Sequence, residues 1–177
     1  RLRHAEIPNE AGVRYLGMSI ASLSDLQSVL VVGSNLRKDH PLFAQRIRQA
    51  ARKGCSVNSL QDRPMDWAMP VANSLVGDPS VWVQALADVA AAVAQEKGVP
   101  CPVHGTASEG AKAIARSMLG GERKAVLLGN AAAHHARASS LLALANWIGE
   151  QTGASVGYLT EAANTVGAQL AGAKPGP

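Results

Sequence analysis

A chain of 177 residues can form one sizeable core or two small lobes. Hydrophobic residues make up 47% but aromatics only 3%, so the core has to be built from Ala, Val and Leu with closely packed helices. The formal net charge of +4 is mild: it admits an anionic partner, and the basic residues do not interleave with aromatics as a base-stacking surface would, which argues against nucleic acid.

No apolar run approaches the roughly 18 residues that a membrane span needs, and the start shows no charged-then-apolar signal pattern. The chain opens on Arg1 rather than Met and closes on AGAKPGP, so it is expected to be a piece of a longer protein. Cys55 and Cys101 stand far apart, outside any CxxC or Cys/His cluster. One disulfide between them is possible, but they are read as reduced and buried, and no metal or iron–sulfur ligation is expected within these residues.

Residues 1–12 are polar and broken by Pro8 and Gly12, an irregular opening segment. ASLSDLQ (21–27) reads as a short helix. Val29 to Val32 is a continuous β-branched and leucine run, as in a strand covered on both faces of a parallel sheet. A helix is expected from about His40, capped by Asp39, with Pro41 in its first turn. Phe43, Ile47 and Ala50 fall on one face, Arg46, Gln49 and Lys53 on the other, and Gly54 ends it. Cys55 to Leu60 alternates in polarity and reads as the next strand, completing a right-handed strand–helix–strand unit.

Residues 61–79 carry three prolines and no clean period, so they read as a long loop. Asp78-Pro79 opens a helix to about Lys97, with Val81, Trp82, Ala85, Leu86, Val89 and Val93 as its buried stripe. After a loop over 98–105, Thr106-Ala107-Ser108-Glu109 has capping-box spacing and starts a helix that stops at Gly120-Gly121. Ala125 to Leu128 is a second buried strand ending on Gly129-Asn130. A long helix covers about Ala132 to Thr152, with Leu141, Leu142, Leu144, Ala145 and Ile148 inward and Gly153 stopping it. Ser155 to Tyr158 is a further strand, and the Gly-rich tail reads as loop. Strands alternating with helices argue an α/β fold of Rossmann-like layered type with a mostly parallel sheet.

Both strong strands end in Gly plus a small polar residue, so both corners could face one crevice at the carboxyl ends of the strands. Gly33, Ser34 and Asn35 could cradle a phosphate: Gly permits close backbone approach, Ser and Asn supply hydrogen bonds, and Arg37 and Lys38 add anion attraction. The run GSNLRK is neither GxGxxG nor GxxxxGK[ST], and Lys53 stands where a ribose-binding acid would be expected. A tight strand-to-helix turn would need the same Gly. His40 could face a ligand or cap and pack. His134 and His135 are adjacent, point about 100° apart on a helix, and have no metal-ligand spacing. Trp67, Trp82 and Trp147 read as core or lobe contacts. Asp62, Asp66 and Asp78 lie in or beside the long loop, Glu109 reads as a cap, and no nucleophile–base pair stands out.

GSNLRKDHPLFAQRIRQAARKG resembles the GSN-x-x-x-x-HP corner and following helix of the molybdopterin oxidoreductase superfamily. RLRHAEIP, TGASVGYLTE and EAANTVGAQLAGAKP resemble, within it, the large iron–sulfur subunit of bacterial NADH:quinone oxidoreductase, respiratory complex I. The resemblance implies a sheet like those of the formate dehydrogenase and DMSO reductase domains, with 1–177 part of one such domain and sub-lobes over 28–75 and 76–177. It places Gly33, Ser34, Asn35, His40, Gly129 and Asn130 at a pterin-nucleotide corner, with Leu36 where catalytic relatives often have Pro. It implies a non-catalytic scaffold with no cofactor of its own, the iron–sulfur clusters lying elsewhere in the parent subunit. Its partners would be the rest of that large subunit and other peripheral-arm subunits, with Arg46, Arg52 and Lys53 as contacts, in the cytoplasm against the bacterial inner membrane. The alternative is a domain of an active molybdoenzyme, such as a formate dehydrogenase, binding a molybdopterin dinucleotide at that corner.

Overall fold

Two short apolar runs, Ser28–Val32 (β1) and Lys124–Leu128 (β4), lie side by side at the centre of a five-stranded sheet. The structure, a computed structural model, describes residues 15–160, 162 and 164–172. The other strands are Ser56–Gln61 (β2), Asn73–Val76 (β3) and Ser155–Tyr158 (β5). The order is β3-β2-β1-β4-β5, and every neighbouring pair is parallel. The expected Rossmann-like α/β fold with a parallel sheet is therefore what the chain adopts.

The helices are α1 (Leu36–Asp39), α2 (Pro41–Arg52), α3 (Trp82–Lys97), α4 (Glu109–Leu119), α5 (Asn130–Ala133), α6 (Ala138–Thr152) and α7 (Thr165–Leu170). Helices α3, α4 and α6 pack on one face of the sheet, against Leu30, Val32, Leu60, Val126 and Leu128. Helix α2 and the 3-10 turn Ala21–Asp25 pack on the other, against Val29, Val31, Val57, Ala125 and Leu127. Covering both faces explains why β1 is apolar from Val29 to Val32 and β4 from Ala125 to Leu128. It also explains why β2, whose alternation suggested one wet face, is buried from Val57 to Gln61.

The polar residues of β2 are accommodated by pairing. Asn58 donates through Nδ2 to Ser117 Oγ at 2.8 Å and to the Val29 carbonyl at 3.1 Å, and its Oδ1 accepts from Asn73 Nδ2 at 2.7 Å. Ser117 of α4 also meets Ser56 Oγ at 2.9 Å and Ser28 Oγ at 2.8 Å. One network thus ties β1, β2, β3 and α4 together at the start of the strands, and buried polar groups so satisfied cost little.

Several boundaries differ from expectation. The stretch read as loop between 61 and 79 contains β3, an edge strand only four residues long and half exposed. Asp39 does not cap α2: it ends α1, its carboxylate accepts the Asn35 N–H at 3.2 Å, and His40 takes the cap position without a side-chain bond. Helix α4 starts two residues later than the Thr106 reading, because Ser108 Oγ accepts the Ala111 N–H at 3.3 Å. The long helix expected from Ala132 is two helices broken at His134–Arg137. Val81 is 49% exposed rather than part of the buried stripe. Part of the tail forms α7. Readings over residues 1–12 and 173–177 lie outside the described residues.

At the β5 edge the segment Tyr15–Gly17 runs alongside: Tyr158 donates its N–H to the Tyr15 carbonyl at 2.8 Å, and Gly157 leaves room for the Leu16 carbonyl. Among the described residues no helix is long and apolar enough to cross a membrane.

Candidate functional site

The chain leaves β1 toward β2 and β3, then returns to place β4 on the other side of β1. This is the topological switch point, and open parallel sheets bind their ligands outside the carboxyl ends of the strands there. Gly33-Ser34-Asn35 follows β1 and Gly129-Asn130 follows β4, so five of the six expected site residues do converge.

They converge on each other. The Gly129 N–H donates to the Val32 carbonyl at 2.8 Å, and the Ala131 N–H donates to the Gly33 carbonyl at 3.0 Å. A Cβ on Gly129 would stand 2.5 Å from the Gly33 carbonyl oxygen and 2.7 Å from Ser34 Cα, so glycine is required for the two corners to touch. Gly33 has a φ of +62°, the left-handed turn that glycine adopts at little cost. A Cβ there would meet Ala132 N and Trp82 Cζ3, each at 2.7 Å.

Trp82, the first residue of α3, therefore closes the corner. It is 1% exposed, and its indole N–H donates to the Gly77 carbonyl at 2.9 Å. The His135 ring stacks on it with centroids 5.9 Å apart and planes 17° from parallel. His135 Nδ1 accepts the Arg137 N–H at 2.9 Å, which leaves Nε2–H to donate to the Pro79 carbonyl at 2.8 Å. Those two bonds assign the ring's hydrogen to Nε2. They also explain the break between α5 and α6: the chain leaves the helix to reach the α3 entrance.

The remaining corner groups are committed locally or buried. Asn35 Oδ1 accepts the Lys38 N–H at 3.4 Å, capping α1. Asp39 holds the Asn35 N–H. Arg37 pairs with Asp66, whose carboxyl is held below the usual carboxylate range first by the Ala68 N–H and then by Arg37. Asp78 is held low by its hydrogen bonds from Ser80. The Ser34 carbonyl accepts from Gln61 Nε2 at 3.2 Å, but Ser34 Oγ, like His40 Nε2, is buried without a hydrogen-bond partner. His40 does not line the corner with the others: it stacks on Phe43 at 5.8 Å, toward the α2-side core. Burial lowers its pKa, partly opposed by Asp39.

Among the described residues no three His, Cys, Asp or Glu side chains come together as metal ligands. Trp82, Ala132 and His135 are the site residues that sequence reasoning missed in role. Trp82 reads from the sequence only as core, and no spacing signal links it to Gly33.

In fold, the chain is similar to part of an enzyme complex. A chain of the formyltransferase/hydrolase complex (FhcABCD) from Methylorubrum extorquens in complex with methylofuran matches 85% of this chain, with a TM-score of 0.50 at 14% identity. The match takes in 40% of that chain, so the present one spans less than half of its length. At this identity the likeness concerns the fold alone. No family model and no curated protein match the sequence.

This corrects the family expectation. The likeness found is to a formyltransferase/hydrolase complex; nothing joins the chain to the molybdopterin oxidoreductase superfamily or to the large iron–sulfur subunit of NADH:quinone oxidoreductase. The scaffold role in respiratory complex I, its electron-transport setting, and the alternative of a dinucleotide-binding molybdoenzyme domain fall with it. The physical reason lies in the motif: Gly-Ser-Asn followed by His-Pro encodes a strand–turn–helix corner, and many parallel sheets need one.

Proposed function

We propose that this chain is a Rossmann-like assembly module, part of a longer subunit in a multi-subunit enzyme that handles formyl groups, and that its switch-point corner serves the fold rather than a nucleotide. The observation that carries this reading is the position of Trp82 over Gly33. A pyrophosphate needs a bare glycine Cα and free N–H groups beside it. Here the Cα is covered, the Gly33 N–H donates to the Leu60 carbonyl at 2.9 Å, and the Asn35 N–H goes to the Asp39 carboxylate. A carboxylate at that position opposes a phosphate electrostatically. The fold likeness to a chain of a formyltransferase/hydrolase complex supplies the setting.

A second reading keeps Gly33, Ser34, Asn35, Gly129 and Asn130, without His40, as a binding site for a phosphate-bearing ligand. Its support is the buried Ser34 Oγ, which has no hydrogen-bond partner. Titration calorimetry with guanosine diphosphate separates the two. The assembly reading expects no saturable heat from the folded protein. Saturable binding that disappears in Asn35→Asp and Ser34→Ala would replace it with the second reading.

A further inference from the structure

Helix α2 is amphipathic in an uneven way. Ala44, Ile47 and Ala50 are buried against the sheet. The outward arc carries Arg46, Arg48, Arg52 and, just past the helix, Lys53, all exposed, and the helix contains no acidic residue. Lys53 reaches Asp25 at 3.5 Å, and Arg46 approaches only a hydroxyl, Ser24 Oγ, at 3.5 Å. Among the described residues neither Arg48 nor Arg52 meets a carboxylate. On the same arc Leu42 is 69% exposed. At 100° per residue, Leu42, Arg46 and Lys53 fall within about 40° of each other, and Arg52 and Arg48 lie about 80° and 120° round from Leu42 on one side of them.

We infer that the outer face of α2 is a docking surface for an acidic protein surface, with Leu42 as its apolar anchor. The inference rests on the assembly reading above and names the chemistry of the neighbour. Uncompensated cations repel one another until an anionic surface supplies the missing charge, and complementary charge sets both register and encounter rate. The arc does not fit the other anionic partners as well. A nucleic acid would be met by basic residues with stacking aromatics, and the helix's one aromatic, Phe43, is turned inward to stack on His40. A membrane surface is bound through the apolar face of a basic helix, and that face is already spent against the sheet. Leu42 among the cations suits a protein surface, where an apolar side chain enters a small notch inside a charged rim.

The test is fluorescence anisotropy with a labelled Glu-rich peptide carrying interspersed Leu, compared with a DNA duplex and with phosphatidylserine vesicles. The expected result is salt-sensitive peptide binding that weakens about tenfold or more in Arg48→Glu/Arg52→Glu and several-fold in Leu42→Ala. Arg137→Glu, a distant charge change of the same sign, should leave it near the wild-type value. No peptide binding, equal weakening by Arg137→Glu, or tighter binding to DNA or vesicles would each overturn the inference. Those failures leave the corner untouched: the assembly reading falls only if guanosine diphosphate binds there, which the calorimetry reports independently.

Discussion

The edge of the Trp82 ring occupies the space that a side chain on Gly33 would need, with Cζ3 2.7 Å from the position of such a Cβ. Gly33→Ala should therefore be costly for two separate reasons. A positive φ costs an L-residue about 1–2 kcal/mol, and overpacking adds about 1–3 kcal/mol. The expected drop in melting temperature, followed by circular dichroism, is roughly 10 °C. A variant melting within a degree of the wild type would show that Trp82 is not packed as described.

The buried His40 gives the fold a pH dependence. Burial lowers its pKa below 6.5 in the folded chain, so the unfolded chain binds the proton more readily. Its contribution to stability is fully present above about pH 6.5 and is lost as the pH falls toward the lowered folded value. Urea midpoints should decline as the pH falls below about 6.5 in the wild type and decline less in His40→Gln. Parallel curves for the two proteins would exclude His40 as the source.

The two cysteines should separate chemically. Burial pushes the Cys55 thiol up to about 11, which leaves almost no thiolate at pH 8. Cys101 is only half buried. A disulfide reagent at pH 8 should modify one thiol of the native protein quickly, with mass spectrometry placing the label at Cys101. Cys55 should react after denaturation. Rapid native labelling of Cys55 would contradict its place in the α2-side core.

Asn58 is the hub of the polar network, and Leu is close to it in size. Asn58→Leu takes the acceptor from Asn73 Nδ2 and the donor from the Ser117 hydroxyl within the network, at about 2–3 kcal/mol. Ser117→Ala removes the three hydroxyl bonds to Asn58, Ser56 and Ser28, but Asn58 Nδ2 keeps the Val29 carbonyl, so it should cost less, about 1 kcal/mol. Denaturant unfolding of both variants checks the order. If Asn58→Leu were neutral, the network would be dispensable packing.

The sheet is legible in the sequence because its signals are local. Val29–Val32 and Ala125–Leu128 are apolar without interruption, and each is followed by a glycine corner. The glycine that ends α6, Gly153, is readable for the same reason. What escapes reading depends on distant contacts. Asn73–Val76 becomes a strand only because β2 offers it an edge. The run Ala132–Ala138 is rich in helix formers, yet the helix breaks so that His135 can bond Pro79. Above all, a glycine corner looks the same whether a ligand or an indole is to fill it. Trp82 arrives from the far side of β2 and β3, and the family expectation stands on the part of the corner that many sheets share.

The place of β1 in the sheet also bears on how the chain is made. Ser28 pairs with Ser56 on one side but waits for Lys124 on the other. During synthesis at about 5–20 residues per second, that gap keeps one flank of the most apolar strand open for roughly 5–20 s. A nascent chain halted inside α4 would display Val29 to Val32 with its β4 flank unpaired, a template for sticking to its neighbours on the polysome. Successful folding is thus a race between the arrival of β4 and self-association, and growth temperature and translation rate should shift the yield of soluble protein before any change in the finished fold is seen.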